Sequence, residues 1–368
     1  MRRVEMVLGM PAGPVRGLVD SYHGYREWGD EPGTHRGLPS PYLTVIITLE
    51  EPLQVAAHPD PRQKAGRYDT LVGGLHTSPA LITHQGRQAG VQLGLSPLGA
   101  RALLGVPAGE LANVDVDAGE LLGVAAAREL HERLNAAAGW GERFRVLDEL
   151  LARRLDRSRE VPPEVVRAWT MLLRGGGTVP VAELAREVGW SARHLGARFG
   201  AEIGLAPKVA GRVIRFDRAR RALQARAAAA AGPAGGSTGG GRRRDPGGGE
   251  RNGWDGEERS RRASGQGSRW GDGEQSLPAS GRGSRWGGGE PGRRDSGEEG
   301  RWGGGERGRW GGEGVVLADL AVEMGFYDQS HLVREFREFS GCSPTRWLAE
   351  EFRNVQAAGA PSRAQSGV

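Results

Sequence analysis

Two stretches with the same pattern decide the fold of this chain. They are VPVAELAREVGWSARHLGARFGAEIGLAP, residues 179–207, and VVLADLAVEMGFYDQSHLVREFREFSGCSP, residues 315–344. In each, a short segment with apolar residues three or four positions apart is followed by a glycine, an aromatic residue and a second helical segment. A helix, a glycine turn and a second helix form the helix-turn-helix signature. Because two copies show the same order of features, the sequence predicts a pair of helix-turn-helix units rather than a generic helical hairpin.

The spacing within each copy also predicts caps and a core. Gly189 and Gly325 suit the end of the first helix, because glycine adopts positive φ without a steric cost. Ser191 and Asp328 are candidate N-caps of the second helix. Apolar residues four positions apart share one helix face and are expected to be buried. The predicted core comprises Leu184, Leu195, Phe199, Leu320, Phe326, Leu332 and Phe336.

A segment of different composition, residues 227–314, separates the two copies. From residue 243 it follows an eight-residue repeat, and each unit carries at most one large apolar side chain, which is too few to build a stacked core. The segment holds 15 Arg against 13 acidic residues and almost no aliphatic residues. This composition is typical of low-complexity, disordered chain. Long surface insertions add little closure entropy, about 0.6 kcal/mol for each doubling of length.

Half of the ten tryptophans lie in this repeat: Trp254, Trp270, Trp286, Trp302 and Trp310. One interpretation is a stacking surface for single-stranded nucleic acid, which would make the chain an RNA-binding or scaffold protein. The other is a solvated insert without a selected role. We favour the second, because a nearly neutral segment attracts phosphate only weakly.

The paired arrangement resembles the AraC/XylS family of bacterial transcription regulators. Positions of the second copy that fall at the family's spacing are Ala321, Gly325, Phe326, Gln329, Ser330, Leu332, Phe336, Gly341 and Pro344. A long helix joins the two units in that family, and residues 207–226 resemble it, with a length of about 30 Å. The chain departs from the family by placing the repeat after this helix. Residues 97–157 resemble, more loosely, the sensor side of some members.

The resemblance implies that the second helix of each unit enters the major groove, so that the two units occupy successive grooves. Positions facing away from the core are then candidates for DNA contact. In the first unit Arg193 suits guanine or phosphate, Ala197 suits a thymine methyl group, and Arg198 suits phosphate. In the second unit Gln329 suits adenine and Arg334 suits guanine. The second unit's candidates are Gln329, Ser330, Val333 and Arg334.

Charge distinguishes the two units. Residues 178–226 carry ten Lys and Arg against four acidic residues, whereas residues 315–353 carry four Arg against seven acidic residues. Phosphate attraction is the main sequence-independent contribution to DNA binding. We therefore expect the first unit and the connecting helix, including Arg212, to supply most of the affinity. The second unit would add selectivity or contact a protein such as RNA polymerase.

The N-terminal part has a different pattern. YLTVIITL, residues 42–49, is rich in β-branched residues and predicts a strand, and further short strands are expected at LQVAA, ALITH and AGVQLGLS. Helical periodicity predicts helices at 97–104, 119–137, 141–157 and 162–174. The expected fold is multidomain, with an α+β sensor-like domain followed by an all-α DNA-binding domain. Its parts are 1–157 (sensor), 162–226 (first unit and connecting helix), 227–314 (insert), 315–353 (second unit) and 354–368 (tail).

Several functional classes are disfavoured. The sole cysteine, Cys342, excludes an intrachain disulfide, a cysteine-cluster metal site and the methyl-accepting cysteines of the family's DNA-repair members. A cupin-like metal site would require about three of His58, His76, His84, Asp60 and Asp69 to converge, and no His-x-His pair supports it. Phosphate-loop and H-E-x-x-H motifs are missing from the sequence. We therefore expect no enzyme activity, cofactor or metal, although an enzyme in the N-terminal half stays an alternative.

The remaining bulk properties set the expected surroundings. The net charge of +5 permits a nucleic-acid partner without requiring one. The first residues do not form a signal-peptide pattern, and no apolar run is long enough for a membrane span, so a bacterial cytoplasm is the expected location. The partners implied by the resemblance are double-stranded DNA, RNA polymerase and a small-molecule effector. Activation is the family's commoner role, but the sequence does not separate an activator from a repressor.

Overall fold

Two antiparallel sheets form the N-terminal domain of the computed structural model, which describes residues 3–29, 31–231 and 316–351. Among these residues the larger sheet has six strands in the order β1-β2-β9-β4-β7-β10, and the smaller has four in the order β3-β8-β5-β6. The strands are β1 (Arg3–Gly9), β2 (Val19–Trp28), β3 (Gly33–Gly37), β4 (Leu43–Thr48), β5 (Leu53–Ala57), β6 (Gly66–Tyr68), β7 (Thr70–Gly73), β8 (Ala80–His84), β9 (Arg87–Leu95) and β10 (Asp115–Asp117).

Side-chain alternation along β4 shows how the domain is layered. Val45 and Ile47 belong to the main core, which continues into the helices, whereas Ile46 belongs to a smaller core shared with the second sheet. Successive residues of a strand point to opposite faces of its sheet. The larger sheet is therefore covered by helices on one face and by the smaller sheet on the other.

Short helices cover the first of these faces. They are α1 (Ala100–Leu104), α2 (Ala118–Leu122), α3 (Val124–Ala136) and α4 (Trp140–Arg154). The helix predicted at 119–137 is divided in two, because Gly123 has a φ of 85° and ends α2. The strands predicted at 42–49 and in the three following segments correspond to β4, β5, β8 and β9. The strands β1, β2, β3, β6, β7 and β10 were not predicted.

The helical C-terminal part contains both helix-turn-helix units. Its helices are α5 (Pro163–Arg174), α6 (Val181–Glu187), α7 (Ala192–Ile203), α8 (Pro207–Ala231), α9 (Leu317–Glu323), α10 (Gln329–Ser340) and α11 (Pro344–Glu351). The first unit comprises α6 and α7, and the second comprises α9 and α10 together with α11, which follows them. The fold is thus an α+β domain followed by an all-α region with two helix-turn-helix units and a long connecting helix.

The turns and caps of the two units match closely. Gly189 and Gly325 both have positive φ, 72° and 79°. The Ser191 side chain accepts a hydrogen bond from the His194 amide at 3.2 Å, and that of Asp328 accepts one from the His331 amide at 2.7 Å. All seven side chains expected in the core are buried, with exposed fractions between 0% and 5%.

The connecting helix α8 carries both units. It has 25 residues, so it is about 38 Å long. It continues to Ala231, past the predicted end at residue 226. Both α7 and α10 pack against it, and Phe216 makes an edge-on contact with Phe336 and a tilted contact with Phe339, with ring centroids 5.1 and 5.2 Å apart. The two units are therefore held on one helix, although the chain between them is long.

Ion pairs connect the N-terminal domain to both helix-turn-helix units. Arg101 of α1 binds Glu202 of α7 with distances of 2.6 and 2.9 Å. Arg36 of β3 binds Glu351 of α11 at 2.6 Å. The described residues accordingly belong to one compact unit. Most of the insert, from residue 232, lies outside the described residues, as do residue 315 and everything after residue 351, including the predicted tail.

Candidate nucleic-acid interface

The outer face of α7 contains the three residues predicted to contact DNA from the first unit. Arg193, Ala197 and Arg198 are all exposed, because Leu195 and Phe199 turn the opposite face toward the core. Phe199 packs against Trp169 of α5, with 6.1 Å between ring centroids. Neither arginine is paired with a carboxylate of the described residues. The helix therefore presents two unneutralised guanidinium groups to solvent.

The outer face of α10 gathers all four candidates of the second unit. Gln329, Ser330, Val333 and Arg334 line one shallow surface depression together with Arg337. Arg337 was not among the residues predicted from the sequence to contact DNA. Its position three residues after Arg334, on the same helical face, was the available signal. No described carboxylate pairs with Arg334 or Arg337, so this face is cationic even though the unit as a whole is acidic.

The acidic residues of the second unit explain this difference. Glu335, which is buried, accepts a hydrogen bond from Arg212 of α8 at 2.6 Å, and Glu338 pairs with the same guanidinium. Glu323 pairs with Arg226 of α8. These carboxylates neutralise the connecting helix instead of opposing phosphate at the outer face of α10.

Arg212, which was predicted from the sequence to contact DNA, is paired within the protein, and its contact with DNA stays a prediction. The guanidinium is held by Glu335 and Glu338 and lies over the Phe339 ring, 5.0 Å from its centroid. Its side chain is 23% exposed. A group with two carboxylate partners gains little from an added phosphate, so Arg212 joins the connecting helix to the second unit.

Other cations of α8 are also neutralised within the protein. Asp217 pairs with both Arg220 and Arg221, at 2.7 and 2.8 Å. These pairs weaken the expectation that the connecting helix supplies phosphate affinity. On α8, Lys208 and Arg218 are the exposed cations that have no described carboxylate partner.

A cavity of about 150 Å³ lies between the two sheets of the N-terminal domain. One part of its lining is apolar and includes Ile46, Val55 and Ile82. The other part is polar, and it includes two arginines of the connecting helix. The polar and charged side chains that line it are Asp20, Ser21, His23, Tyr25, His35, Arg36, Ser40, Tyr42, Thr44, His76, Gln92, Asp115, Arg220 and Arg221.

Burial shifts the pKa of several groups in this lining, among them His23 and Tyr42. Burial, with a smaller contribution from Arg221, lowers the pKa of His23, so this imidazole is neutral at pH 7. Burial and the nearby Asp20 raise the pKa of Tyr42 to about 12, so its hydroxyl keeps its proton. Neutral donors and acceptors therefore lie beside the fixed charges of Arg36, Arg220 and Arg221, and this combination suits a small polar or amphipathic ligand.

The histidines and aspartates considered for a metal site lie in separate hydrogen bonds. His58 contacts Asp115 at 2.7 Å, His76 contacts the Ser78 carbonyl at 2.6 Å, and His84 accepts from the Gly86 amide at 3.2 Å. Asp60 pairs with Arg62, and the carbonyl of Asp69 accepts from Thr48. Within the described ranges, no three His, Cys, Asp or Glu side chains are grouped so as to hold a metal ion.

A family described as a domain of unknown function (DUF6597) matches residues 9–117, which span most of the two sheets. The sequence matches none of the curated proteins. Among the helices that the structure describes, none combines the length and apolarity needed to span a membrane.

The solved structures similar to this chain include ToxT from Vibrio cholerae, with 9% identity, a TM-score of 0.41, and coverage of 89% of this chain and 97% of ToxT. A structure of ToxT bound to an unsaturated fatty acid shows 7% identity and a TM-score of 0.38, with 95% of each chain covered. These identities and TM-scores are too low for a fold or a function to be transferred to this chain.

Proposed function

We propose that this chain is a sequence-specific regulator of transcription, of the AraC type, that binds double-stranded DNA through both helix-turn-helix units. The observation that carries the proposal is that two similar units pack on one helix. Each unit has an exposed face whose arginines pair with no carboxylate of the described residues. The resemblance of the second unit to the AraC/XylS pattern supports it. The mechanism is binding, not chemistry.

In this proposal α7 and α10 are the recognition helices. Arg193 and Arg334 make bidentate contacts to guanine, and Gln329 makes the corresponding contact to adenine. Val333 and Ala197 are short apolar groups that suit thymine methyl groups. Arg198 and Arg337 bind phosphate and fix the position of each helix in its groove.

The ion pairs of the second unit change the contribution to DNA affinity that is expected from each unit. Glu335, Glu338 and Glu323 bind arginines of α8, so neither their charge nor that of their partners acts on DNA at full strength. The two outer faces then resemble each other, with Arg193 and Arg198 on one and Arg334 and Arg337 on the other. We therefore propose comparable contributions from the two units, in place of the dominance of the first unit that the sequence charges suggest.

The N-terminal domain would act as the sensor of a small-molecule effector that binds in the cavity between its sheets. Arg220 and Arg221 line this cavity from the helix that carries both units, and Arg36 links it to α11. A ligand that contacts these arginines binds with different affinity to conformations of the protein in which the arginines lie at different positions. Such a difference in affinity is the requirement for a ligand to shift a conformational equilibrium.

Substitution of one arginine on each recognition helix tests the proposal. An operator is first selected from random duplex DNA with the full chain, and affinities are then measured by fluorescence anisotropy at fixed salt. Arg193→Ala and Arg334→Ala should each weaken operator binding by about 1–3 kcal/mol, or roughly 5- to 150-fold. Arg346→Ala is the matched control, because Arg346 is exposed on α11 and paired with Glu350.

Two outcomes would contradict the proposal. One is unchanged operator affinity in both recognition-helix variants, and the other is an equal loss in the Arg346 control. The alternative, an RNA-binding or scaffold protein acting through the Arg/Trp repeat, is tested by deleting residues 232–312. We expect this deletion to leave duplex binding intact, and loss of all nucleic-acid binding would favour the alternative.

A further inference from the structure

A second cavity lies on the opposite face of the larger sheet. Its volume is about 170 Å³, and it lies between the central strands and the helices α1 to α4. Val45 and Ile47 of β4 line this cavity, whereas Thr44 and Ile46 line the first one. The same alternation separates Val72 from Leu71, as the two-residue period of a strand requires. The two cavities are therefore separate and share the sheet as a common wall.

The lining of the second cavity is almost entirely apolar. Beside the strand residues it is made by Leu103, Leu104, Leu122, Ala126, Leu130, Leu147, Leu150 and Leu151. The charged side chains in the lining are Glu129, Arg153 and Arg154. Arg153 pairs with Glu129 and Glu149, at 3.4 and 3.1 Å.

Arg154 is also occupied, because it donates hydrogen bonds to the backbone carbonyls of Leu103 at 3.4 Å and Leu122 at 3.2 Å. A polar ligand group among the leucines would lose its water without gaining a partner, which is unfavourable. The lining therefore selects against polar and charged ligands.

The size of the cavity sets the size of its occupant. Protein interiors are normally close-packed, and voids much larger than a water molecule are few. An engineered apolar cavity of about 150 Å³ stays free of water and binds benzene or xenon. We propose that the second cavity is a binding site for a small, uncharged, apolar molecule about the size of one substituted aromatic ring.

This site is distinct from the effector cavity in its position in the fold. Leu103 and Leu104 lie on α1, the helix whose Arg101 holds Glu202 of the first helix-turn-helix unit. The site does not depend on the proposed DNA contacts, and its occupancy can be measured without DNA. Failure of either proposal would leave the other untouched.

Toluene is the probe for this site, and titration calorimetry of the full chain is the measurement. We expect saturable binding of toluene to the unsubstituted protein. Ala126→Phe places a ring inside the cavity and should abolish this binding, whereas Ala125→Phe adds the same ring at an exposed position of the same helix and should preserve it.

Circular dichroism and the melting temperature establish that each variant is folded. Ala126→Leu fills less of the cavity and replaces Ala126→Phe if the larger ring prevents folding. The proposal is overturned if the unsubstituted protein shows no saturable toluene binding. It is also overturned if a folded Ala126 variant binds toluene as well as the Ala125 variant does.

Discussion

Glu335 shows how one buried carboxylate sets the role of its neighbours. One of its oxygens accepts from Arg212 at 2.6 Å and lies 3.6 Å from His331, while the other lies 3.9 Å from Arg215. Its side chain is only 7% exposed. From the sequence it counts merely as one negative charge beside Arg334. In the fold its side chain is buried between α10 and α8, where it binds Arg212 and holds the second unit to α8.

We expect Glu335→Gln to destabilise the protein by about 2–4 kcal/mol, because the partly buried Arg212 loses the buried one of its two counter-charges. Urea unfolding measures this change. Glu338→Gln is the matched control, since Glu338 binds the same arginine but is 53% exposed, and its loss should cost less than about 1 kcal/mol. Equal effects of the two substitutions would show that burial of Glu335 is not what makes this pair matter.

The exposed faces of α7 and α10 were predictable because they depend only on helical spacing. Burial of Leu195 and Leu332 places the neighbouring positions outward, whatever the rest of the molecule does. The role of Arg212 was not predictable, because its partner Glu335 lies 123 positions away in the sequence. Spacing along one helix is local information, whereas an ion pair between α8 and α10 depends on how these two helices pack.

At the scale of elements, the glycine turn is where the two units differ. Gly189 and Gly325 have similar positive φ values, so any other residue would be strained at both positions. Around Gly189 there is open space. At Gly325 an added Cβ would lie 2.7 Å from Cγ2 of Thr178, which precedes the first unit. The second turn therefore packs against the residue that precedes the first unit, while the first turn has open space around it.

This difference predicts unequal costs for the same substitution. Gly189→Ala should destabilise the protein by about 1–2 kcal/mol through backbone strain alone. Gly325→Ala should cost about 2–4 kcal/mol, since the Thr178 methyl group must also move. Adding Thr178→Ser removes that methyl group and should bring Gly325→Ala back to the level of Gly189→Ala in urea unfolding. A cost for Gly325→Ala that Thr178→Ser does not reduce would contradict the proposed contact.

Some elements carried clear sequence signals and others did not. β4 is recognisable because Val45, Ile46 and Ile47 are β-branched and consecutive, in a strand buried on both faces. β2 is also largely buried, but its buried residues include Ser21, Tyr22 and Gly24, which do not form an alternating apolar pattern. Its burial comes from neighbouring elements. Trp140 covers Gly24, for example, where an added Cβ would approach the ring to 2.4 Å.

At the scale of the whole molecule, a few partly buried ion pairs connect the N-terminal domain to the helical C-terminal part. The Arg36 side chain donates to Glu351 at 2.6 Å and to Glu350 at 2.8 Å, and its backbone amide also donates to Glu351. Arg36 also lines the cavity proposed for the effector. One side chain thus contacts both the sensor cavity and the last described helix of the second unit, and no sequence pattern marks it.

Arg36→Gln tests this coupling, and its effect should depend on pH. Burial raises the pKa of Glu351, and the hydrogen bonds from Arg36 offset only part of that rise. A carboxyl with a raised pKa in the fold contributes most stability below its ordinary pKa and loses that contribution as the pH rises through the raised value. Removing Arg36 raises this pKa further, so the substitution should cost about 2–4 kcal/mol at neutral pH and clearly less near about pH 5.

Urea unfolding at both pH values measures the cost, and hydrogen exchange should show that α11 opens first. Arg346→Gln is the control, because the Arg346–Glu350 pair is exposed and its loss should cost less than about 1 kcal/mol at either pH. A cost for Arg36→Gln that stays the same at both pH values would mean that Glu351 is not the group left without a partner. Faster exchange in α11 with β4 still protected is the expected pattern, and it would mean that α11 separates from an intact N-terminal domain.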